Sequence, residues 1–296
     1  MLKRTLLFSN PASLTTRNEQ LVVSEPGGGK EIATVPIEDV GYVVLENRQL
    51  YVSMPLYEKL IANNVAVVFC NNAHMPNGML LNLDGNNLQS ELFRHQVNSS
   101  VPLKKNLWKQ TIEAKLKNQA MHLKKQSLRD GDIMSLSKNV LSGDSDNKEG
   151  SASRLYWKRL FGKNFTRERY GDYPNNYLNY GYAILRAAVA RSLTGSGLLA
   201  TLGIHHKNKY NAYCLADDIM EPYRPFVDEC VFGMVEEGFE QELEKEGKAR
   251  LLNLLSADVV FRDKKRPLMV GLSVTTASLA KCFSGQAKRI TYGTVP

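Results

Sequence analysis

Cysteine is scarce in this sequence, with four in 296 residues, and none forms a C-x-x-C pair. That excludes a disulfide scaffold and the usual zinc-ribbon spacings, and it suits reduced thiols (Cys70, Cys214, Cys230, Cys282) in the cytoplasm. No run approaches the ~18 apolar residues that span a bilayer. The opening MLKRTLLFSNPASL is charged and soon polar, too short in its apolar part for a signal peptide. A soluble, cytoplasmic chain without a membrane partner is expected. Also missing are a P-loop, a G-x-G-x-x-G and a G-x-S-x-G, which removes the common nucleotide and nucleophile-elbow chemistries. SEPGGGK lacks the P-loop spacing and reads as a turn. No internal repeat or low-complexity segment occurs.

Acidic charge is in deficit, and the deficit is local. Residues 1–84 carry 6 Lys+Arg against 8 Asp+Glu, whereas residues 85–296 carry 32 against 22. A near-neutral segment thus precedes one with a net charge of +10. Such asymmetry points to a polyanion on the second part, with nucleic acid first and a membrane surface second.

What is present divides the same way. RTLLFS, QLVVS, KEIATVPI, YVVLEN, LYVSM and VAVVFC are short, β-branched runs separated by turn signals. One helix is predicted from Pro55, with proline in its first turn. Asn82–Asn87 reads as a linker. Beyond it, helices are predicted over about 102–128, 147–161, 174–193, after Arg224 and over 239–255. VVFRDKKRPLMV reads as a charged hairpin and SVTTASLAKCF as a last helix. The expected fold class is therefore α+β. A small β-sandwich-like domain (1–84) precedes a larger, essentially all-α catalytic domain (85–296). The Lys/Arg side chains of the 102–128 helix spread around its axis at ~100° per residue and define no single edge.

Three places carry candidate chemistry. Glu149 heads a helical stripe with Ala152, Ser153, Tyr156 and Leu160, so its carboxylate leads an apolar face. The alternative is an acid in a first turn, favoured by the helix dipole. His205 and His206 are adjacent, so at most one joins a given site. Asp218-x-x-Glu221 has the form of a capping box. Pro222 would then fall at N4, where its missing N–H costs a helix bond. Imidazole with carboxylates suits Mg²⁺ or Mn²⁺ at a phosphate. Zinc with Cys214 is a rival without the right spacing.

The stretches KEGSASRLYWKRLFG, LNYGYAIL, GIHHKNKYNAYCLADDIMEPYRP and RTLLFSNPASLTTRNEQLVV together resemble the CRISPR-associated spacer integrase family, in its type II-like form. The resemblance implies a metal-dependent DNA integrase and endonuclease. Such an enzyme joins 3′-OH ends of short duplex DNA into a CRISPR repeat by transesterification. It further implies a homodimer and a heterohexamer with the small Cas-two protein, and the near-neutral β-domain is the expected dimerisation platform. The type II effector is a further expected partner. Carried over motif by motif, the catalytic and metal residues are Glu149, His206 (fourth in G-h-h-H) and Glu221 (in D-h-M-E-P-Y/F-R-P). Asp218 is an additional expected metal ligand. Arg224, Tyr156 and His205 are expected at DNA or behind the ligands, and the ion is Mg²⁺ or Mn²⁺. A general nuclease for branched DNA and a non-enzymatic DNA-binding scaffold are the alternatives.

Overall fold

The computed structural model describes residues 3–169, 171–239 and 241–296, and the chain divides into two units, Met1–Gly85 and Asn86–Pro296. The first unit opens with β1 (Arg4–Phe8), β2 (Ala12–Arg17), β3 (Gln20–Ser24), β4 (Glu31–Pro36), β5 (Val40–Leu45) and β6 (Leu50–Val52). Helix α1 (Met54–Ala62), β7 (Ala66–Cys70) and β8 (Pro76–Leu80) follow. One sheet has the order β1-β5-β7-β8 and the other β4-β3-β2-β6. The β1–β5, β5–β7 and β2–β6 pairs are parallel. Val43 and Val67 of one sheet, Leu14 and Leu21 of the other, and Leu56 and Leu60 of α1 share one buried core. The β-sandwich-like reading therefore holds. β2 and β8 are additional to the expected strands. The β2–β3 turn consists of Asn18 and Glu19, both at positive φ, the two-residue geometry that matches strand twist.

The second unit is helical apart from one hairpin. It contains α2 (Gln89–Val97), α3 (Val101–Lys125), α4 (Gly131–Ser137), α5 (Lys148–Leu160), α6 (Asn175–Gly195) and α7 (Cys214–Met220). After a 3-10 turn at Glu221–Tyr223 come α8 (Arg224–Glu236), α9 (Lys245–Asn253), β9 (Asp258–Phe261), β10 (Lys264–Pro267) and α10 (Leu268–Phe283). The β9–β10 hairpin is the charged one expected, and it qualifies the all-α reading. The helix expected over 239–255 is shortened to α9, and Glu240 lies outside the described residues.

Helix α3 is the axis of this unit. Ser100 caps it by accepting from Leu103 N–H, and Pro102 sits in its first turn. Leu107, Ile112, Leu116 and Leu123 are fully buried along it, each contributing about 2 kcal/mol of hydrophobic stabilisation. Asn118, also fully buried, donates to the carbonyls of Pro222 (2.7 Å) and Gly293 (3.1 Å). It thereby ties the turn after α7 and the C-terminal segment to α3. Gly181 of α6 lets α8 approach closely, because a Cβ there would collide with Val227.

Candidate active site

Glu149 lies in the first turn of α5, where three local contacts fix it. Asn147 caps the helix by accepting from Gly150 N–H, and Asp144 accepts from the Lys148 and Glu149 amides at 2.9 and 3.2 Å. The expected stripe is present, with Ala152, Tyr156 and Leu160 buried and Ser153 donating to Glu149 Oε1 at 2.9 Å. Glu149 is thus more than a first-turn acid. Its Oε1 also meets the Lys115 ammonium at 2.5 Å.

Lys115 joins the two carboxylates, because its Nζ lies 2.6 Å from Glu221 Oε2. Arg224 Nε approaches the other oxygen of Glu221 at 3.0 Å, and its guanidinium lies over the Tyr182 ring, 4.6 Å from the centroid. Burial raises the Glu221 pKa, but Arg224 and Lys115 outweigh it and the net shift is downward. Lys115 lowers the Glu149 pKa against the opposing effect of burial. Burial works against the charge on Lys115, yet Glu221 and Glu149 prevail and its pKa rises. All three groups are therefore held in their charged forms.

Asp218 does not cap a helix. It lies inside α7, fully buried, and its carboxylate accepts from the amides of Ile204 (2.7 Å), His205 (2.9 Å) and His206 (3.2 Å). The same carboxylate contacts His206 Nδ1 at 2.6 Å. A carboxylate only accepts, so Nδ1 carries the proton in this contact and neutral His206 keeps its lone pair on Nε2. With four donors already on Asp218, its role is to shape the loop and orient the imidazole. Gly203 belongs to the same device, since a Cβ there would strike the His206 carbonyl and come 2.8 Å from Asp218 Oδ2. Asp217 pairs with Arg186 Nε (2.6 Å) and accepts from Asn211 Nδ2 (2.7 Å), anchoring the far side of the loop to α6.

The two histidines part company. His205 stacks on Trp108 with centroids 4.1 Å apart and planes 3° from parallel, and burial lowers its pKa. His206 meets Trp108 edge-on at 5.8 Å and is 43% exposed, and its hydrogen bond to Asp218 raises its pKa. Glu221 and His206 are near enough to act on each other electrostatically. Tyr156 is fully buried, donates to Asp228 at 3.0 Å and contacts His122 Nδ1 at 2.8 Å. It underlies the site and has no face for DNA.

Among the described residues, no three His, Cys, Asp or Glu side chains converge tightly enough to hold an ion as they stand. The donor set nevertheless fits one. The Lys115 ammonium sits between two carboxylates as a cation would. Glu221 Oε2 is buried and, despite its ionic contact with Lys115, makes no aligned hydrogen bond. A spherical ion makes no such directional demand. Two hard oxygen donors and one imidazole nitrogen suit Mg²⁺ or Mn²⁺ better than zinc, and Cys214 instead lies against the carbonyls of Asn208 and Asn211.

Sequence reasoning did not find Lys115. Its only signal is position, since it shares an i, i+7 stripe with Trp108 and His122 on the buried side of α3. Arg186, Asp144 and Asn118 gave no signal, because their partners are distant in sequence or are main-chain atoms.

The chain matches the model of the family "CRISPR associated protein Cas1" over residues 5–254. It is 37% identical over 237 residues to the CRISPR-associated endonuclease Cas1 of Neisseria meningitidis serogroup C, covering 79% of this chain and 77% of that one. In fold it is similar to a casposase bound to integration product, with a TM-score of 0.79, 19% identity, and coverage of 98% of this chain and 93% of that one. It is also similar to a chain of a Cas6-RT-Cas1–Cas2 complex, with a TM-score of 0.72, 19% identity, and coverage of 97% of this chain and 35% of that one.

Proposed function

This chain belongs to the CRISPR associated protein Cas1 family, and from that premise we propose that it is a metal-dependent DNA integrase of CRISPR adaptation. The reaction is transesterification. A 3′-OH at the end of a short duplex attacks a phosphodiester at a repeat border, and the strand's own 3′-oxygen leaves. With water as the nucleophile, the same site is an endonuclease. The single observation that carries this reading is the joint placement of Glu149 and Glu221 about one cation, with His206 oriented beside them by Asp218.

Glu149, His206 and Glu221 would hold the Mg²⁺ or Mn²⁺. Bound there, the ion supplies positive charge at the phosphoryl oxygens and lowers the proton affinity of the attacking hydroxyl. The chain's own groups do the rest. Asp218 keeps the Nδ1 proton on His206, which leaves the Nε2 lone pair free for the ion. Arg224 holds Glu221 ionised in a buried setting, and Ser153 orients Glu149. The net charge of +10 beyond residue 84 attracts the polyanion. DNA, a Cas2 partner, the homodimer and the type II effector are carried over from the family. The structural likeness to a chain of a Cas1–Cas2 complex supports the second of these.

The test is strand joining. Purified protein with its Cas2 partner, a labelled duplex with 3′-OH ends, a repeat-bearing plasmid and Mn²⁺ should give joined product. EDTA and Glu221→Gln should abolish it. Cleavage of branched DNA without joining would replace the integrase with a general nuclease. DNA binding with neither activity would leave a scaffold.

A further inference from the structure

A concavity of about 760 Å³ in the second unit lies apart from the candidate active site. One wall is α3, through Lys109, Glu113 and Lys117, and the other is the C-terminal segment, through Lys288 and Arg289, with Lys138 alongside. Lys109, Glu113 and Lys117 repeat at i, i+4 and i+8, so they form one stripe. Lys115 lies two residues from Lys117, about 160° round the helix. The groove and the paired carboxylates thus occupy opposite sides of a helix about 10 Å thick.

Five cations meet one acid in this groove. Lys109 and Glu113 approach only to 3.6 Å, both more than a third exposed. Lys117, Lys138, Lys288 and Arg289 are exposed and form no ion pair among the described residues. The far wall is fixed in place. Gln110 donates to the Lys288 carbonyl (3.1 Å) and accepts from Ile290 N–H (2.9 Å). Thr291 N–H donates to Ser278 Oγ (2.8 Å), and Asn118 holds Gly293 and Val295. Unpaired like charges held together on two fixed walls repel one another until an anion is present. Lys109 and Lys117 are eight residues apart, about 12 Å along the axis, which spans three to four base steps of ~3.4 Å.

We propose that this groove is a docking track for the phosphodiester backbone of duplex DNA, distinct from the strand held at Glu149, His206 and Glu221. Strand joining needs two DNA molecules on one protein, and α3 presents one binding face to each. The inference rests on the DNA-joining reading for its purpose but not for its binding test.

The experiment is fluorescence anisotropy of a labelled 30-base-pair duplex with the full chain, across a salt series. The variants are Lys117→Gln/Lys138→Gln/Lys288→Gln in the groove and Lys30→Gln/Lys163→Gln/Lys245→Gln on exposed surface elsewhere. The groove variant should bind at least tenfold more weakly near 0.1 M salt, and its log–log salt slope should fall by about 0.9 for each phosphate that is no longer neutralised. The surface variant should bind like the parent. Glu113→Lys removes the one acid, and it should bind more tightly with a steeper slope, a gain that misfolding cannot produce. Equal affinities and slopes in all variants would overturn the proposal. So would loss of poly-glutamate binding with DNA binding intact, which would make the groove a site for an acidic protein segment. A fallen slope in the groove variant, in a protein that never joins strands, would keep the groove and discard the integrase.

Discussion

His206 and Asp218 form a single unit: Nδ1 of the one lies 2.6 Å from Oδ1 of the other, and the carboxylate also gathers three successive amides of the histidine's loop. One buried acid therefore sets both the backbone path and the tautomer. Asp218→Asn replaces an acceptor with an amide that must point a donor at donors. Mn²⁺ affinity and strand joining should each fall about 10–100-fold, and the amides of residues 204–206 should lose hydrogen-exchange protection. Unaltered protection and Mn²⁺ affinity would show that Asp218 does not build this loop.

The adjacent histidines should separate cleanly in activity. His206→Ala removes the proposed ligand and should cut joining by more than 100-fold. His205→Ala removes a ring stacked on Trp108 and should keep the chemistry while lowering the melting temperature by a few degrees. Reversed outcomes in the joining assay would move the ligand assignment to His205.

Lys115 makes a prediction for the metal-free protein. Lys115→Met leaves Glu149 and Glu221 facing each other with Arg224 as the remaining cation. Removing one partner of a buried ionic cluster costs about 3–5 kcal/mol, which lowers the melting temperature by at least about 6 °C. Mn²⁺ should restore the variant more than it stabilises the parent, because no ammonium then competes for the carboxylates. Identical Mn²⁺ shifts in calorimetry would show that the ammonium and the ion do not share a place.

Asp228 gives a pH signature. Burial pushes its carboxyl up to about 7, although Tyr182 and Tyr156 both donate to it. Its unfolded value is near 3.9. A raised folded pKa means the folded state binds the extra proton. The stability it contributes is fully present below the unfolded value and is lost as pH rises to 7, by about 1.4 kcal/mol per unit within that window. Asp228→Asn cannot titrate, so it should gain on the parent as pH rises from 5 to 7. Parallel denaturation curves for the two proteins across that range would refute this.

Much of the fold was legible in local patterns. β-branched runs became strands, and the helix predicted from Pro102 became α3. The 3.6-residue stripe through Glu149, Ala152, Tyr156 and Leu160 faces inward as its spacing required. These features depend on neighbours within a turn or two, so sequence carries them. Asp218-x-x-Glu221 shows the limit of such reading. It looked like a capping box because the eye pairs residues three apart. The carboxylate of Asp218 in fact reaches 12 to 14 residues back, and that of Glu221 reaches Lys115.

The sequence by itself determined the composition of the site and its charge. It supplied two glutamates, a histidine after Gly203, and an excess of ten positive charges beyond residue 84. It could not place those charges. Lys115 and Lys117 stand two residues apart, yet one lies between the carboxylates of Glu149 and Glu221 and the other in an open groove opposite Lys288. That division was decided by tertiary structure. Helix geometry turns residues two apart to opposite sides of the cylinder, and only the packing of α5, α7 and the C-terminal segment around α3 fixes what each side meets.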